Sequence, residues 1–256
     1  MRTDPYLPTH ILITGASSGL GAALALAYAA PGIRLSLHGR DAERLAAVAD
    51  EAARRGAQVA PHIGDVTAAD SMAAWIAACD ATAPLDLIIA NAGISAGTSG
   101  GPESPQQARR IFAVNVDGVV NTIQPALPLM MKRGRGQIAL VSSLAGFRGL
   151  PGGPAYGASK AAVRVYGEAL RPDALAAGVS VHVICPGFVR TPMTDVNKFR
   201  MPFLMEADAA ASLVRERLAH GQARIAFPWP MYALVRLLAL LPEPLMDWVA
   251  LHVPRK

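Results

Sequence analysis

Cysteine is almost missing. Cys79 and Cys185 are the only two in 256 residues, too far apart in sequence to suggest a disulfide framework. A reducing compartment, the cytoplasm, is the expectation. Aromatic residues are scarce at 5%, while hydrophobic residues as a whole reach 52%. A core of Ala, Val, Ile and Leu favours helices packed on a buried sheet over an aromatic-rich β sandwich. No stretch reaches the roughly 20 uninterrupted apolar residues needed to cross a bilayer. The opening Met1-Arg-Thr-Asp-Pro-Tyr-Leu-Pro lacks the apolar centre of a signal peptide. Lysine is confined to Lys132, Lys160, Lys198 and Lys256, so arginine carries most of the net charge of +5. No Lys/Arg block is long enough to suggest a nucleic-acid surface. The excess fits a solvated surface, or attraction to a phosphorylated ligand or an anionic membrane. His10, His38, His62, His182, His220 and His252 are scattered, and no metal-ligand spacing appears.

Short apolar runs alternate with helical stretches along most of the chain. Strands are expected at His10–Thr14, Ile33–His38, Gln58–Ile63, Leu85–Ala90, Gln137–Ser142 and Ser180–Cys185, with a short last one at Ala223–Ala226. Helices are expected at Gly19–Ala30, Asp41–Arg55 with Asp41 as N-cap, Ala68–Cys79, Pro105–Arg133, Tyr156–Ala177 and Ala207–His220. The fourth should bend near Pro125 and Pro128, and the fifth near Pro172. Continuously apolar strands between helices imply a mostly parallel sheet covered on both faces, a doubly wound α/β fold with ligands at the carboxyl ends of the strands.

Two local patterns carry chemistry. The first strand runs into Thr14-Gly15-Ala16-Ser17-Ser18-Gly19-Leu20-Gly21. Glycines there permit a sharp strand-to-helix turn and a close approach of backbone N–H groups to a pyrophosphate. Downstream, Tyr156 and Lys160 stand four residues apart on one helix face. A phenol is nearly inert near neutral pH, and a neighbouring ammonium favours its ionised form. The pair can move a proton, and Lys160 is expected to lower the Tyr156 pKa.

Thr-Gly-x-x-x-Gly-x-Gly, Asn91-Ala92-Gly93 after the fourth strand and Tyr156-x-x-x-Lys160, in this order, resemble the motif set of the short-chain dehydrogenase/reductase family. The resemblance covers roughly residues 9 to 226. It implies a Rossmann-type domain over residues 1–226, with a central sheet of seven parallel strands and a substrate-covering segment at about 191–206. It further implies a catalytic set of Asn115, Ser143, Tyr156 and Lys160, with Asn115 positioning a water that links Lys160 to solvent. Cofactor contacts are implied at Gly15, Ser17, Ser18, Gly19, Leu20, Gly21, Asp65, Val66, Asn91, Ala92, Gly93, Tyr156, Lys160, Pro186, Gly187, Val189 and Thr191. Ser142, next to Ser143, reads as structural.

The second strand ends His38-Gly39-Arg40-Asp41. NAD-preferring members of the family place an acid where Gly39 stands, and the guanidinium of Arg40 suits a 2′-phosphate. NADP is therefore expected over NAD, although the basic residue many NADP-preferring relatives carry in the glycine turn is replaced here by Ser18. The implied activity is hydride transfer between NADP(H) and a carbonyl or secondary alcohol, with no metal and with a homodimer or homotetramer as the assembly. A cofactor-binding protein without turnover, and an epimerase-type reaction on the same scaffold, are the alternatives.

Met193, Met201, Phe203 and Met205 suggest an apolar substrate cavity or plain core. Residues 227–256 form an apolar extension that begins Phe227-Pro-Trp-Pro-Met231. Two readings stand for it: two short helices packed on the substrate pocket or a partner subunit, or a peripheral membrane contact with Trp and Arg/Lys at the interface.

Overall fold

The computed structural model describes residues 6–95, 103–149, 151–197 and 200–252. Residues 198 and 199 of the expected covering segment, and 253–256 of the tail, lie outside them. Seven strands form one sheet: β1 (His10–Thr14), β2 (Arg34–Gly39), β3 (Gln58–Ile63), β4 (Leu87–Ala90), β5 (Gly136–Val141), β6 (Val179–Pro186) and β7 (Arg224–Phe227). Their order is β3-β2-β1-β4-β5-β6-β7, and every pairing is parallel. This is the doubly wound α/β architecture expected from the alternating pattern.

The helices are α1 (Gly19–Tyr28), α2 (Ala42–Arg54), α3 (Ala69–Thr82), α4 (Pro105–Phe112), α5 (Gly118–Ile123), α6 (Leu127–Arg133), α7 (Pro154–Ala176), α8 (Pro192–Asp195), α9 (Ala207–Ala219), α10 (Trp229–Leu238) and α11 (Glu243–His252). Side-chain alternation along the central strands sorts them into two cores. Ile11, Ile13, Leu87, Ile89, Ala139 and Val141 pack against α1, α2 and α9. Leu12, Ile88, Ala90, Ile138 and Leu140 pack against α3, α5, α6 and α7. Burial on both faces explains why these strands read as continuous apolar runs. β3 departs from that pattern: it is an edge strand, and four of its six residues are exposed.

The long helix expected over Pro105–Arg133 is three helices. Between α4 and α5 the backbone widens into one π-helical stretch, Ala113–Asp117, and between α5 and α6 it breaks around Gln124–Ala126. Pro125 has no N–H to continue α5, and Pro128 sits in the first turn of α6, where proline is tolerated. Pro172, by contrast, lies inside α7 without ending it. Asp41 caps α2 as expected, its carboxylate accepting from the Arg44 amide at 3.0 Å.

Candidate active site

β1 and β4 are neighbours in space although two strands separate them in sequence. The chain leaves them toward opposite edges of the sheet, and the crevice at their carboxyl ends is where such folds bind ligands. Thr14 and Asn91 stitch this point together. Thr14 Oγ1 accepts from the amides of Asn91 (3.1 Å) and Ala92 (3.2 Å), and Asn91 Nδ2 donates to the carbonyls of Thr14 (3.0 Å) and Gly15 (3.2 Å). Gly15 takes φ +67°, and a Cβ there would lie 2.8 Å from Ala92 Cα. A Cβ on Gly21 would collide with the Gly15 carbonyl and come within 2.5 Å of Asn91 Nδ2. The glycines thus let α1 start directly against β1 and β4, with its unpaired first amides at the crevice.

A cavity of about 410 Å³ runs along the carboxyl ends of the strands. It is lined by Gly15, Ser17, Ser18, Gly19 and Leu20, by Arg40, Asp65, Val66, Asn91, Ala92 and Gly93, by Ser143, Tyr156 and Lys160, and by Pro186, Gly187, Val189 and Thr191. Two expected site residues do not line it. Gly21 sits behind the turn, where its role is packing. Asn115 is fully buried inside the π-helical stretch, a distortion that often marks functional positions. Its Oδ1 accepts from the Ile94 amide at 2.8 Å, and its Nδ2 donates to the Ile94 carbonyl and to Ser159 Oγ, both at 3.0 Å. A Cβ on Gly93 would lie 3.3 Å from both Asn115 Oδ1 and Lys160 Nζ, so the missing side chain lets both polar groups approach the same point.

Ser143, Tyr156 and Lys160 converge at one end of the cavity. β5 ends at Val141, and Ser143 begins the tight turn Leu144–Gly146, with its Oγ accepting from the Ala145 amide at 3.1 Å and donating to the Pro186 carbonyl at 3.4 Å. Ser142 is structural, as expected: its hydroxyl donates to the Lys160 carbonyl at 2.7 Å and ties the turn to α7. Lys160 Nζ donates to the Val141 carbonyl at 2.9 Å and lies 5.9 Å from the centre of the Tyr156 ring.

The electrostatics correct the expectation about the phenol. Burial raises the Tyr156 pKa, and the hydrogen bond with Ser143 is what opposes it. Lys160 is shifted as well. Its own burial pulls the ammonium down to about 8, against a weaker opposite pull from Cys185. At neutral pH the pair is a neutral phenol beside a buried ammonium, a proton donor held next to a positive charge.

At the far end the side chain missing at Gly39 leaves no carboxylate beside Ser17, and Arg40 is exposed at the rim. Arg44, unread in the sequence, also lines the cavity, its Nε 3.2 Å from Asp41 Oδ2. Asp65 faces the cavity while its Oδ1 accepts from the amide and hydroxyl of Thr67, both at 2.9 Å. Those bonds, the amide first, and the nearby Arg40 hold its carboxyl below the usual range against burial. Thr191 lines the cavity and also forms a reciprocal cap with Thr194 at the start of α8. Met193 lines the cavity; Met205 packs on the core and bridges Val189; Phe203 faces solvent.

Glu103 was also unread. Its Oε2 accepts from the Ala155 amide at 3.0 Å, placing an anion at the N-terminus of α7, one residue before Tyr156. Nothing in the sequence around Glu103 announces this contact, which depends on α4 packing beside α7.

The family model described as short chain dehydrogenase matches residues 9–200. An uncharacterised oxidoreductase of Myxococcus xanthus is 45% identical over 241 residues, covering 93% of this chain and 95% of the relative. A short-chain dehydrogenase/reductase from Burkholderia phymatum, solved in complex with NAD, superposes with TM-score 0.81 at 26% identity over 97% of this chain and 96% of its own. A short-chain dehydrogenase from Sphingobium yanoikuyae, solved with NADPH, gives TM-score 0.77 at 26% identity over 91% and 96%.

Proposed function

The chain belongs to the short-chain dehydrogenase/reductase family, and from that premise we propose that it transfers a hydride between NADP(H) and the carbonyl or secondary alcohol of an apolar small molecule. The observation that carries this reading is the meeting of the Ser143 hydroxyl, the Tyr156 phenol and the Lys160 ammonium at one end of the cavity, with Arg40 and Arg44 at the other. A bound nicotinamide supplies the hydride chemistry. Ser143 orients the reacting oxygen with a hydrogen bond that strengthens as negative charge develops there. Tyr156 gives its proton to that oxygen in reduction, or removes it in oxidation. Lys160 stabilises the phenolate left behind, and Asn115 ties Ile94, which lines the cavity, to Ser159 on α7.

Preference for the 2′-phosphate rests on Arg40, Arg44 and the absence of a carboxylate at Gly39. Arg40→Ala should weaken NADPH binding by about tenfold or more, the scale of one charge-assisted hydrogen bond, and leave NADH binding nearly unchanged. Equal loss for both cofactors would remove the phosphate reading. The reaction itself is tested by NADPH oxidation across a panel of aldehydes, cyclic ketones and 3-oxo esters. Turnover with the apolar members is expected. Tight NADPH binding with no turnover across the panel would leave a cofactor-binding protein instead.

A further inference from the structure

Folding accounts for one face of α10 and leaves the other unexplained. Met231, Tyr232 and Val235 pack inward on Leu144, Val183, Cys185 and Ala226. On the opposite side Trp229, Leu234 and Leu237 stand in solvent, joined by Leu240, 79% exposed, just past the helix end. α11 repeats the arrangement: Met246 is buried, whereas Leu245, Trp248 and Leu251 are exposed. A helix on a protein surface ordinarily turns polar residues outward, and one that is apolar all round calls for a second apolar medium.

The charge and length of these helices say which medium. α10 carries one charged side chain, the exposed Arg236, and no carboxylate. On α11, Glu243 is paired with Arg148 at 2.6 Å, which leaves Asp247 as its other carboxylate. The chain as a whole carries +5. A protein partner would need about one hydrogen bond per 100–200 Å² of interface, and the outer face of α10 offers none: the guanidinium of Arg236 sits at its flank, 6.0 Å from the centre of the Phe147 ring. Acyl chains need none. Each helix has ten residues, hence about 15 Å of length against a hydrocarbon core of roughly 30 Å. Among the described residues no helix is long and apolar enough to cross a membrane. Short helices of this kind lie in the interface, with Trp rings at headgroup level and basic residues toward anionic lipid.

The patch also adjoins the cavity. Gly187 lines the cavity, its amide donates to the Phe227 carbonyl at 2.7 Å, and a Cβ on it would lie 2.7 Å from Met231 Sδ. α10 therefore starts against the cavity wall, and the Arg148–Glu243 pair holds α11 near the turn that bears Ser143.

We infer that the outer faces of α10 and α11 form a docking surface for an anionic lipid bilayer, which holds this wall of the cavity at the membrane. The inference concerns binding and can fail or stand independently of hydride transfer. The test is co-sedimentation of the full chain with phosphatidylcholine vesicles that contain or lack phosphatidylglycerol. Binding to the phosphatidylglycerol vesicles is expected, with a fall of at least about tenfold in the Leu237→Glu/Leu240→Glu double variant, since each leucine loses the transfer free energy of a buried aliphatic side chain. Both positions are exposed, so the variant should keep its melting temperature and its NADPH affinity. Should it misfold, brominated lipid provides the reading on the unaltered protein: Trp229 and Trp248 should be quenched. No sedimentation with either vesicle, no quenching, or equal binding by a folded variant would overturn the inference. So would self-association of the wild type that the variant abolishes without any vesicle binding, which would make the face an interface between copies of this chain.

Discussion

Burial dominates the titration of Tyr156 and Lys160, and it acts in opposite directions on the two. For Lys160 the consequence is a stability effect of definite sign. Its pKa is about 8 in the folded chain, and near 10.4 in an unfolded one. Between those values the unfolded chain holds a proton that the folded chain has released, so this group adds stability as pH rises from about 8 to about 10.4. Cys79 and Cys185, both raised by burial, act the other way from about pH 8.5. The sign is therefore read from the difference between wild type and Lys160→Met in chemical melts of the cofactor-free protein. The wild type should gain stability relative to the variant across that window; a constant or shrinking difference would contradict the assigned burial. The sequence made Tyr156 and Lys160 legible because their spacing is chemical, and Ser143 only through the family resemblance. It did not reveal the direction of the phenol's shift, which depends on how much protein surrounds the ring. Arg44 and Glu103 were also hidden, because each reaches the site through an element whose position only the fold supplies.

At the scale of the element, the strand-to-helix turn after β1 is constrained most tightly. Gly21→Ala forces a methyl into the Gly15 carbonyl and Asn91 Nδ2. It should cost about 1–3 kcal/mol in urea unfolding, the usual penalty of overpacking, and weaken NADPH binding in parallel by spreading the turn. Wild-type stability in that variant would mean α1 can shift without consequence. Pro172 offers the opposite experiment. It removes one backbone hydrogen bond from the interior of an otherwise continuous 23-residue helix, so Pro172→Ala should raise stability by up to about 3 kcal/mol. An unchanged or lower unfolding midpoint would show that α7 is fitted to the missing bond. Glycine and proline made the turn and the break before α6 readable, since both act through the backbone itself. The π-helical stretch around Asn115 was not readable. No local residue demands it, and its asparagine is held by the Ile94 backbone and Ser159, far away in sequence.

Across the whole molecule, the cavity spans from Arg40 and Arg44 at one rim to Ser143, Tyr156 and Lys160 at the other, and the segment after β7 packs behind the second end, on Leu144 and Gly187. Glu168 on α7 binds Arg164 at 3.0 Å and Arg224 on β7 at 2.6 Å, and Arg224 reaches the Tyr232 hydroxyl on α10 at 3.4 Å. α7, the last strand and the tail are thereby joined. The parallel sheet was legible because two-sided burial writes itself as uninterrupted apolar strands, with β3, the exposed edge, as the exception. The tail left two readings open, packed helices or membrane contact, because an apolar run looks the same whichever face is buried; the structure buries one face of each helix and exposes the other. The central claim is that Tyr156 is the proton donor beside a bound nicotinamide. Single-turnover NADPH oxidation at saturating cofactor, with a carbonyl that the wild type reduces, tests it most directly. Tyr156→Phe should bind NADPH with wild-type affinity and lose at least about 100-fold in rate, the scale of general acid catalysis; a rate equal to wild type would contradict the account.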